Sequence, residues 1–244
     1  MGRGRIGAIS VPTDAVLPGA AGFTGVLMLQ TRFPRLPGDV GHPGSFTGPV
    51  RYRVVDGALP ARVVATAADL RASGLPARFL EAAQALAREG ARAITTSCGF
   101  LVLLQSELQA SVGVPVVTSS LLQLPSLLER EPQVGVLTIS ADRLGPEHLL
   151  AAGVPPHRLQ DVLVEGVDPA GEFARAILGN DSSMDIERAR ADVVAAACAL
   201  RARAPRLSTA VLECTNMPPH AQAAERASGL RLQSLLDDPH VQLG

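Results

Sequence analysis

Two segments of the chain repeat the same order of features around a cysteine. Cys98 and Cys214 each follow a short apolar run and precede a stretch with the pattern of a helix. A short apolar run of this kind is typical of a buried β-strand. Gly113 and Gly229 each lie 15 residues after the cysteine of their segment, and another apolar run follows each glycine. These matched features predict that one half of the chain is a diverged copy of the other, with one thiol in each half.

The strands expected upstream of the cysteines support this duplication. Gly25 begins an apolar run 73 residues before Cys98, and Gly135 begins a similar run 79 residues before Cys214. Hydrophobic residues recur at helical spacing between the apolar runs. Strands that alternate with helices predict an α/β fold with a parallel sheet in each half.

The predicted elements follow from hydrophobic periodicity and from the helix and turn signals around it. The predicted strands cover residues 25–29, 93–96, 114–117, 134–139, 160–164, 210–212 and 230–232, and the predicted helices cover residues 78–89, 100–108, 121–128, 146–152 and 184–203. A capping box at Ser182 and Asp185 is expected to start the last of these helices. A long loop rich in Pro and Gly, at about residues 31–50, is predicted to be a lid or binding loop, or else a surface excursion.

A charged stretch with a proline at residues 129–132 is the predicted joint between the halves. Residues 1–130 would then form an N-terminal α/β lobe with the first cysteine, and residues 131–244 a C-terminal α/β lobe with the second. The end of the C-terminal lobe is free to pack back on the first lobe. Residues 1–22 are rich in Gly, Pro and Ala, and residues 6–9 are a candidate extra strand.

The composition excludes several classes of partner. A net charge of −1 gives no basic footprint for nucleic acid, and an aromatic content of 3% without Trp argues against base-stacking surfaces. No run approaches the roughly 18 apolar residues that a membrane span needs. The three cysteines have no zinc-like spacing, and the N-terminus lacks the continuous apolar core of a signal peptide. We therefore expect a cytoplasmic protein with reduced thiols and no bound metal.

Both cysteines are expected at the carboxyl end of a strand, where parallel sheets bind their ligands. A helix that starts after each thiol offers backbone N–H groups, which lower the pKa of a thiol and also bind carboxylates. Ser97, Thr215 and Asn216 add short polar side chains at the same place. A single cysteine after an apolar strand is more often a small buried residue, but the duplicated setting of this pair favours a catalytic role. Cys198, among alanines in the middle of a predicted helix, is expected only to pack.

Cations and histidines near these positions are weaker candidates. Arg32 and Arg35 lie on the long loop, and a guanidinium can bind a substrate carboxylate through two parallel hydrogen bonds. A solvated surface role is the alternative for both. The same alternative applies to two arginines beside the loop, Arg51 and Arg53. Proton transfer and a structural role are both open for the histidines His42, His148 and His220.

Thr-Ser-Cys-Gly at residues 96–99 and Glu-Cys-Thr-Asn at residues 213–216 together resemble the cysteine motifs of the aspartate/glutamate/hydantoin racemase superfamily. The resemblance spans the chain from Gly25 to about Asp237. It implies two similar Rossmann-like lobes, with parallel sheets related by a pseudo-twofold axis and the active site in the cleft between the lobes. It also implies racemisation without pyridoxal phosphate, metal or any other cofactor. One thiolate would remove the α-proton, and the opposite thiol would return a proton to the other face.

The resemblance assigns roles by motif. Cys98 and Cys214 would be the two catalytic bases. The substrate-binding candidates are Ser97, Gly99, Thr215 and Asn216 beside the cysteines, and Arg32 and Arg35 on the loop.

The chain departs from the family's pattern around both cysteines. Glu213 stands where the family commonly has Gly, and this carboxylate is expected to raise the pKa of the neighbouring thiol or to pair with a substrate ammonium. Gly99 and Phe100 stand where Asn and Thr are common. Asn216 and Met217 stand where some glutamate racemases have His two residues after the second cysteine. The resemblance therefore does not transfer the identity of the substrate.

These observations favour an isomerase, a cofactor-independent racemase or epimerase of a small carboxylate such as aspartate or glutamate. One alternative is a maleate-type cis–trans isomerase, in which a thiolate adds to the double bond. Another is a two-lobed small-molecule binding protein without chemistry. Arylmalonate decarboxylases of the same superfamily keep one cysteine, so the presence of two argues against decarboxylation. The expected partner is a small carboxylate substrate, and assembly as a homodimer is left open.

Overall fold

The computed structural model describes residues 22–242, which form two four-stranded parallel sheets flanked by helices. The first sheet has the order β2-β1-β3-β4 and consists of β1 (Phe23–Leu29), β2 (Val50–Val55), β3 (Ala91–Thr96) and β4 (Val116–Val117). The second sheet has the order β6-β5-β7-β8 and consists of β5 (Val134–Thr138), β6 (Val162–Gly166), β7 (Thr209–Leu212) and β8 (Arg231–Gln233). The predicted α/β fold class is confirmed. The candidate strand at residues 6–9 lies outside the described residues.

Helices cover the sheets, and the longer ones carry one buried apolar face. The α-helices are α1 (Pro60–Val63), α2 (Ala67–Ala72), α3 (Leu75–Arg88), α4 (Gln105–Ser111), α5 (Leu124–Leu128), α6 (Pro146–Ala151), α7 (Glu172–Leu178), α8 (Ile186–Arg203) and α9 (Ala221–Ser228). In α3, Phe79, Ala83 and Leu86 recur at helical spacing and are fully buried. None of the helices described between residues 22 and 242 combines the length and apolar character needed to cross a membrane. The cytoplasmic location stays a prediction.

The two sheets share their strand order and also their register. Gly25 of β1 pairs with Ile94 of β3, and Gly135 of β5 pairs with Ala210 of β7. Each of these partners lies four residues before the cysteine of its half. The segments before the two cysteines therefore occupy equivalent places in the two sheets, as the sequence duplication predicts.

Several element boundaries differ from the prediction. The predicted helix at residues 100–108 begins as a 3-10 helix at Gly99–Leu104 and continues as α4. All six residues of that 3-10 helix are buried, so the apolar run has no polar face from which its period can be read. The strand predicted at 160–164 is shifted to β6, because a 3-10 helix at Pro156–Asp161 precedes it. Helix α8 is capped by Asp185 itself, whose side chain accepts hydrogen bonds from the backbone N–H groups of two following residues.

Some elements are absent from the sequence prediction. Strand β2 is an edge strand with mostly half-exposed residues, so it lacks a strong apolar signal. The short helices α1, α2 and α7 were also missed, whereas α9 is the helix that was expected after Cys214. The predicted loop at 31–50 lies between β1 and β2 and contains one short 3-10 helix, Pro43–Ser45.

A large cluster of buried side chains runs through both sheets, and a smaller one joins the C-terminal residues to the first sheet. Val241 packs with Val26 and Val117 in the smaller cluster, and its carbonyl oxygen accepts a hydrogen bond of 3.1 Å from Thr24 Oγ1. The predicted domain boundary at residues 130 and 131 lies between β4 and β5 and stays a prediction.

Candidate functional site

Cys98 and Cys214 lie at the carboxyl ends of β3 and β7, each of which is an inner strand of its sheet. The residue before each cysteine is fixed in the same way. The N–H of Ser97 donates to the carbonyl of Leu27 (3.1 Å), and the N–H of Glu213 donates to the carbonyl of Leu137 (2.8 Å). The chain then leaves each sheet at the cysteine.

Both cysteines line one small cavity between the two sheets, which in the protein alone has a volume of about 20 Å³. The other residues of its wall are Leu29, Phe33, Pro60, Val64, Ser97, Gly99, Phe100, Ile139, Ile177, Glu213, Thr215 and Asn216. Most of these side chains are apolar, and Glu213 is the one ionisable side chain among them besides the thiols. Four of the predicted substrate-binding residues, Ser97, Gly99, Thr215 and Asn216, are in this wall.

Burial governs the acidity of the two thiols. Cys98 is 8% exposed and Cys214 is 6% exposed. Removal from water raises the pKa of both thiols well above the ordinary range, and the nearby Glu213 carboxylate raises it further. The backbone N–H groups of Phe100 and Leu101 act on Cys98 in the opposite direction, as does the N–H of Asn216 on Cys214. The expectation that helix starts would lower the thiol pKa is therefore wrong for the protein alone, because desolvation outweighs these donors.

Glu213 is a buried carboxylate with one free oxygen. Its side chain is 1% exposed, and Oε2 accepts a hydrogen bond of 2.7 Å from Thr138 Oγ1. Oε1 has no hydrogen-bond partner among residues 22–242. Burial raises the pKa of Glu213 to about 8, despite the hydrogen bond from Thr138. The predicted proximity of this carboxylate to the thiols is present in the structure.

The residue equivalent to Glu213 in the first half is Ser97, and its side chain is used within the protein. Ser97 Oγ accepts a hydrogen bond of 2.9 Å from the N–H of Leu29, and its carbonyl accepts one of 2.8 Å from Thr215 Oγ1. The second of these bonds joins the two halves at the cavity. Ser97 and Thr215 therefore shape the wall. Among the described residues, the Thr215 hydroxyl donates a hydrogen bond, whereas the Ser97 hydroxyl acts only as an acceptor.

A chain of polar side chains connects the loop after β1 to Cys214. Arg35 pairs with Asp39 (Nη1 to Oδ1, 2.9 Å), and Asn216 Nδ2 donates to Asp39 Oδ2 (2.6 Å). The amide is thereby turned so that its Oδ1 faces the sulfur of Cys214, 3.7 Å away. Asp39 was missed in the sequence analysis. Its position four residues after Arg35 in a Pro- and Gly-rich loop was the available signal.

The predicted arginines lie outside the cavity wall. The guanidinium of Arg35 stacks on Phe33, a wall residue, at 4.4 Å from the ring centroid. Arg32 donates to Asn180 through its backbone N–H (2.7 Å) and through Nε (3.3 Å). Arg51 stacks on Phe23, and Arg53 pairs with Glu89 on the surface. Contact between Arg32 or Arg35 and a substrate stays a prediction.

The histidines and Cys198 also lie outside the cavity wall. His148 and His220 are each 1% exposed, and burial lowers the pKa of both, that of His220 to about 4. Their rings contact Phe100 and Phe173 edge-on, with centroids 4.9 Å and 6.0 Å apart. His42 caps the 3-10 helix in the loop, where its Nδ1 accepts from the N–H of Gly44. Cys198 lies within α8, as predicted.

Comparison with solved structures shows a fold shared with two-lobed racemases. The glutamate racemase of Francisella tularensis, solved with D-glutamate, has a TM-score of 0.53 at 15% identity, over 91% of this chain and 77% of the racemase. Arylmalonate decarboxylase has a TM-score of 0.53 at 15% identity, over 86% of each chain. The glutamate racemase of Bacillus anthracis has a TM-score of 0.55 at 13% identity, over 90% and 79%. The predicted resemblance to the racemase superfamily is therefore confirmed at the level of the fold.

Comparison with curated proteins gives a different chemistry. A dimethylsulfoniopropionate lyase of Durusdinium sp. clade D is 32% identical over 84% of this chain and 69% of the relative. Dimethylsulfoniopropionate lyase 3 of Emiliania huxleyi is 32% identical over 88% of this chain and 60% of the relative. The chain thus spans between three fifths and seven tenths of the length of these relatives. No protein-family model matches the chain.

These relatives overturn part of the sequence-based interpretation. They are enzymes, which agrees with the prediction of an enzyme. They are lyases, however, so the predicted amino-acid racemase activity is wrong. The error has a physical reason, because a fold does not determine which reaction its site catalyses.

Proposed function

Because the chain belongs to the dimethylsulfoniopropionate lyase family, we propose that it is a lyase that cleaves dimethylsulfoniopropionate or a closely related sulfonium carboxylate. The observation that carries this proposal is the cavity wall, where two thiols and one buried carboxylate face a mostly apolar space. The substrate is a zwitterion with a carboxylate at one end and a dimethylsulfonium group at the other. Apolar walls suit the methyl and methylene groups between the charges.

The proposed reaction is a β-elimination. A thiolate removes a proton from the carbon next to the carboxylate. The electrons of that C–H bond form a double bond to the neighbouring carbon, and the C–S bond breaks. The sulfur keeps the electron pair of that bond and leaves as neutral dimethyl sulfide, while the carbon product is acrylate. The protonated thiol then returns its proton to solvent, and no cofactor enters these steps.

The substrate itself supplies a charge that assists the base. In the protein alone, burial holds both thiols in the neutral form. A sulfonium cation in the cavity favours the thiolate and offsets the charge of Glu213. The N–H groups of Phe100 and Leu101 stabilise a thiolate on Cys98, so the base forms when the substrate binds.

The carboxylate end gains negative charge as the α-proton leaves. We assign its binding to the Ser97 hydroxyl and to the backbone N–H groups of Gly99, Thr215 and Asn216, which line the cavity beside the thiols. Donors that are already in place cost little reorganisation when the charge develops. In this assignment the predicted residues of the cavity wall bind the substrate, and Arg32 and Arg35 make no direct contact with the substrate.

The direct test is to incubate the purified protein with dimethylsulfoniopropionate. Dimethyl sulfide should be detected by gas chromatography, and acrylate should appear in equal amount by proton NMR. The double variant Cys98→Ser/Cys214→Ser should release neither product, whereas Cys198→Ala should behave as the wild type. A correctly folded wild-type protein that yields no dimethyl sulfide would refute the proposal.

A further inference from the structure

Glu213 is a buried carboxylate that the protein leaves without a cation. Thr138 holds Oε2, and Oε1 has no hydrogen-bond partner in the described part of the chain. The ion pairs formed within residues 22–242 do not include Glu213. A carboxylate removed from water without a counter-ion is costly to ionise, and the raised pKa of Glu213, about 8, reflects this cost.

The surroundings of Glu213 are arranged to keep it at the cavity. Gly99 lies directly opposite, and a Cβ atom there would overlap the backbone carbonyl and Oε1 of Glu213. The absence of a side chain at residue 99 thus makes the room that the carboxylate occupies. Thr138 fixes one oxygen, so the orientation of the other is also set. The equivalent Ser97 has no free acceptor of this kind, so the feature belongs to one half only.

We propose that Glu213 is the residue that selects substrates with a fully alkylated onium group, through an electrostatic interaction between its carboxylate and that cation. This inference rests on the proposed function. A dimethylsulfonium group has no N–H or O–H to donate. A nearby negative charge can therefore recognise it, but a directional hydrogen bond from it cannot form. A carboxylate in an apolar wall that includes Phe33 and Phe100 meets this requirement, and aromatic side chains favour cations as well. Glu213 is thus a specificity residue, separate from the thiols that move the proton.

The test uses two ligands of nearly identical shape and different charge. 3-(Trimethylammonio)propanoate carries an onium group, and 4,4-dimethylpentanoate replaces it with a neutral tert-butyl group. Isothermal titration calorimetry on the wild type should show a preference for the cationic ligand of roughly 10- to 100-fold in Kd. Glu213→Gln keeps the shape of the side chain and should abolish most of this preference, with little change for the neutral ligand.

Glu81→Gln is the matched control, because it removes one negative charge from the exposed face of α3. It should retain the wild-type preference. An unchanged preference in Glu213→Gln, or a wild type that binds neither ligand, would overturn the inference. Turnover of dimethylsulfoniopropionate is measured separately. If Glu213→Gln loses the preference and the wild type has no lyase activity, the inference is supported and the proposed reaction is refuted. If the wild type is a lyase and Glu213→Gln keeps the preference, the reaction is supported and the inference is overturned.

A second measurement uses the Cys98→Ser/Cys214→Ser double variant, in which a released proton cannot come from either thiol. If the cation meets a protonated Glu213, its binding should release a proton near pH 7, and the neutral ligand should release none. The released proton is measured from the heat of binding in buffers with different ionisation enthalpies. Equal proton release with the two ligands would overturn the inference even if Glu213→Gln did not fold.

Discussion

The residue before each cysteine differs between the two halves, and this difference breaks the chemical symmetry of the site. Ser97 Oγ accepts a hydrogen bond from the N–H of Leu29, whereas Glu213 has one oxygen at the cavity without a partner among the described residues. A reaction that moves a proton between two faces is served by matched halves. An elimination needs one base and a place for the leaving group, and the unequal halves are suited to this division of tasks.

The two thiols should contribute unequally to the proposed elimination. Two backbone N–H groups favour a thiolate on Cys98, whereas the sulfur of Cys214 contacts Asn216 Oδ1, an acceptor that favours the protonated thiol. We expect Cys98→Ser to lower kcat by roughly 10²- to 10⁴-fold. Cys214→Ser should lower it less, because a hydroxyl can still donate to Asn216. Initial rates of dimethyl sulfide release measure both, and a larger loss in Cys214→Ser would contradict this order.

Glu213 should also make the stability of the protein depend on pH. Its pKa rises from an ordinary 4.5 to about 8 on folding, so the folded state binds a proton that the unfolded state has lost. The resulting stability is fully present below about pH 4.5 and is lost as the pH rises through about 8. The free energy of unfolding of Glu213→Gln minus that of the wild type should rise by roughly 2–5 kcal/mol when the pH is raised from 5 to 9. Urea unfolding at these two pH values tests this, and a constant difference between the two proteins would count against it.

The loop between β1 and β2 contains one buried ion pair, and its carboxylate joins the loop to the site. Arg35 and Asp39 have side chains that are 13% and 3% exposed, and Asp39 also accepts from Asn216. A second link joins the N–H of Val40 to the carbonyl of Thr215 (3.4 Å). These bonds attach the loop of the first half to the cysteine segment of the second, so the loop completes the cavity wall through Phe33.

Removal of the Asp39 carboxylate should therefore affect both stability and catalysis. Asp39→Ala leaves the Arg35 guanidinium largely buried without its partner and frees the Asn216 amide. We expect a loss of about 3 kcal/mol in the free energy of unfolding and a lower kcat. Arg53→Gln is the control, because it breaks a half-exposed pair with Glu89 and should change stability by about 0.5 kcal/mol or less. Urea unfolding and rates of dimethyl sulfide release measure the two effects, and similar results for the two variants would contradict this account of the loop.

The elements nearest the cysteines were the ones that the sequence predicted best. Strands β3, β5 and β7 are mostly buried and contain short apolar runs, and their patterns are detectable for that reason. Strand β2 at the sheet edge and the short helices after it bury few residues each, so periodicity could not detect them. The helix predicted at residues 100–108 is present, but a fully apolar run carries no period from which its 3-10 start could be read.

In the molecule as a whole, the duplication was predictable and the chemistry was not. Matching distances around Cys98 and Cys214 reflect matching registers in two sheets of the same strand order. The site inherits its position from this arrangement, since both cysteines leave their sheets at the carboxyl ends. The reaction depends on what faces the thiols, and a racemase-like fold does not decide that. Glu213 was noted as a departure from the racemase pattern, but its free oxygen became visible only with the structure.

The two halves meet at the site through Gly99 and Glu213, and this contact gives a last prediction. A Cβ at residue 99 would overlap the carbonyl oxygen and Oε1 of Glu213, so Gly99→Ala must displace Glu213 or separate the halves. We expect a loss of about 1–3 kcal/mol in the free energy of unfolding and a clear fall in kcat/KM. Gly113→Ala is the matched control, because no atom of the described residues lies within 4 Å of a Cβ placed there. Urea unfolding and dimethyl sulfide release should separate the two variants, and a Gly99→Ala protein with wild-type activity would show that the contact is not needed.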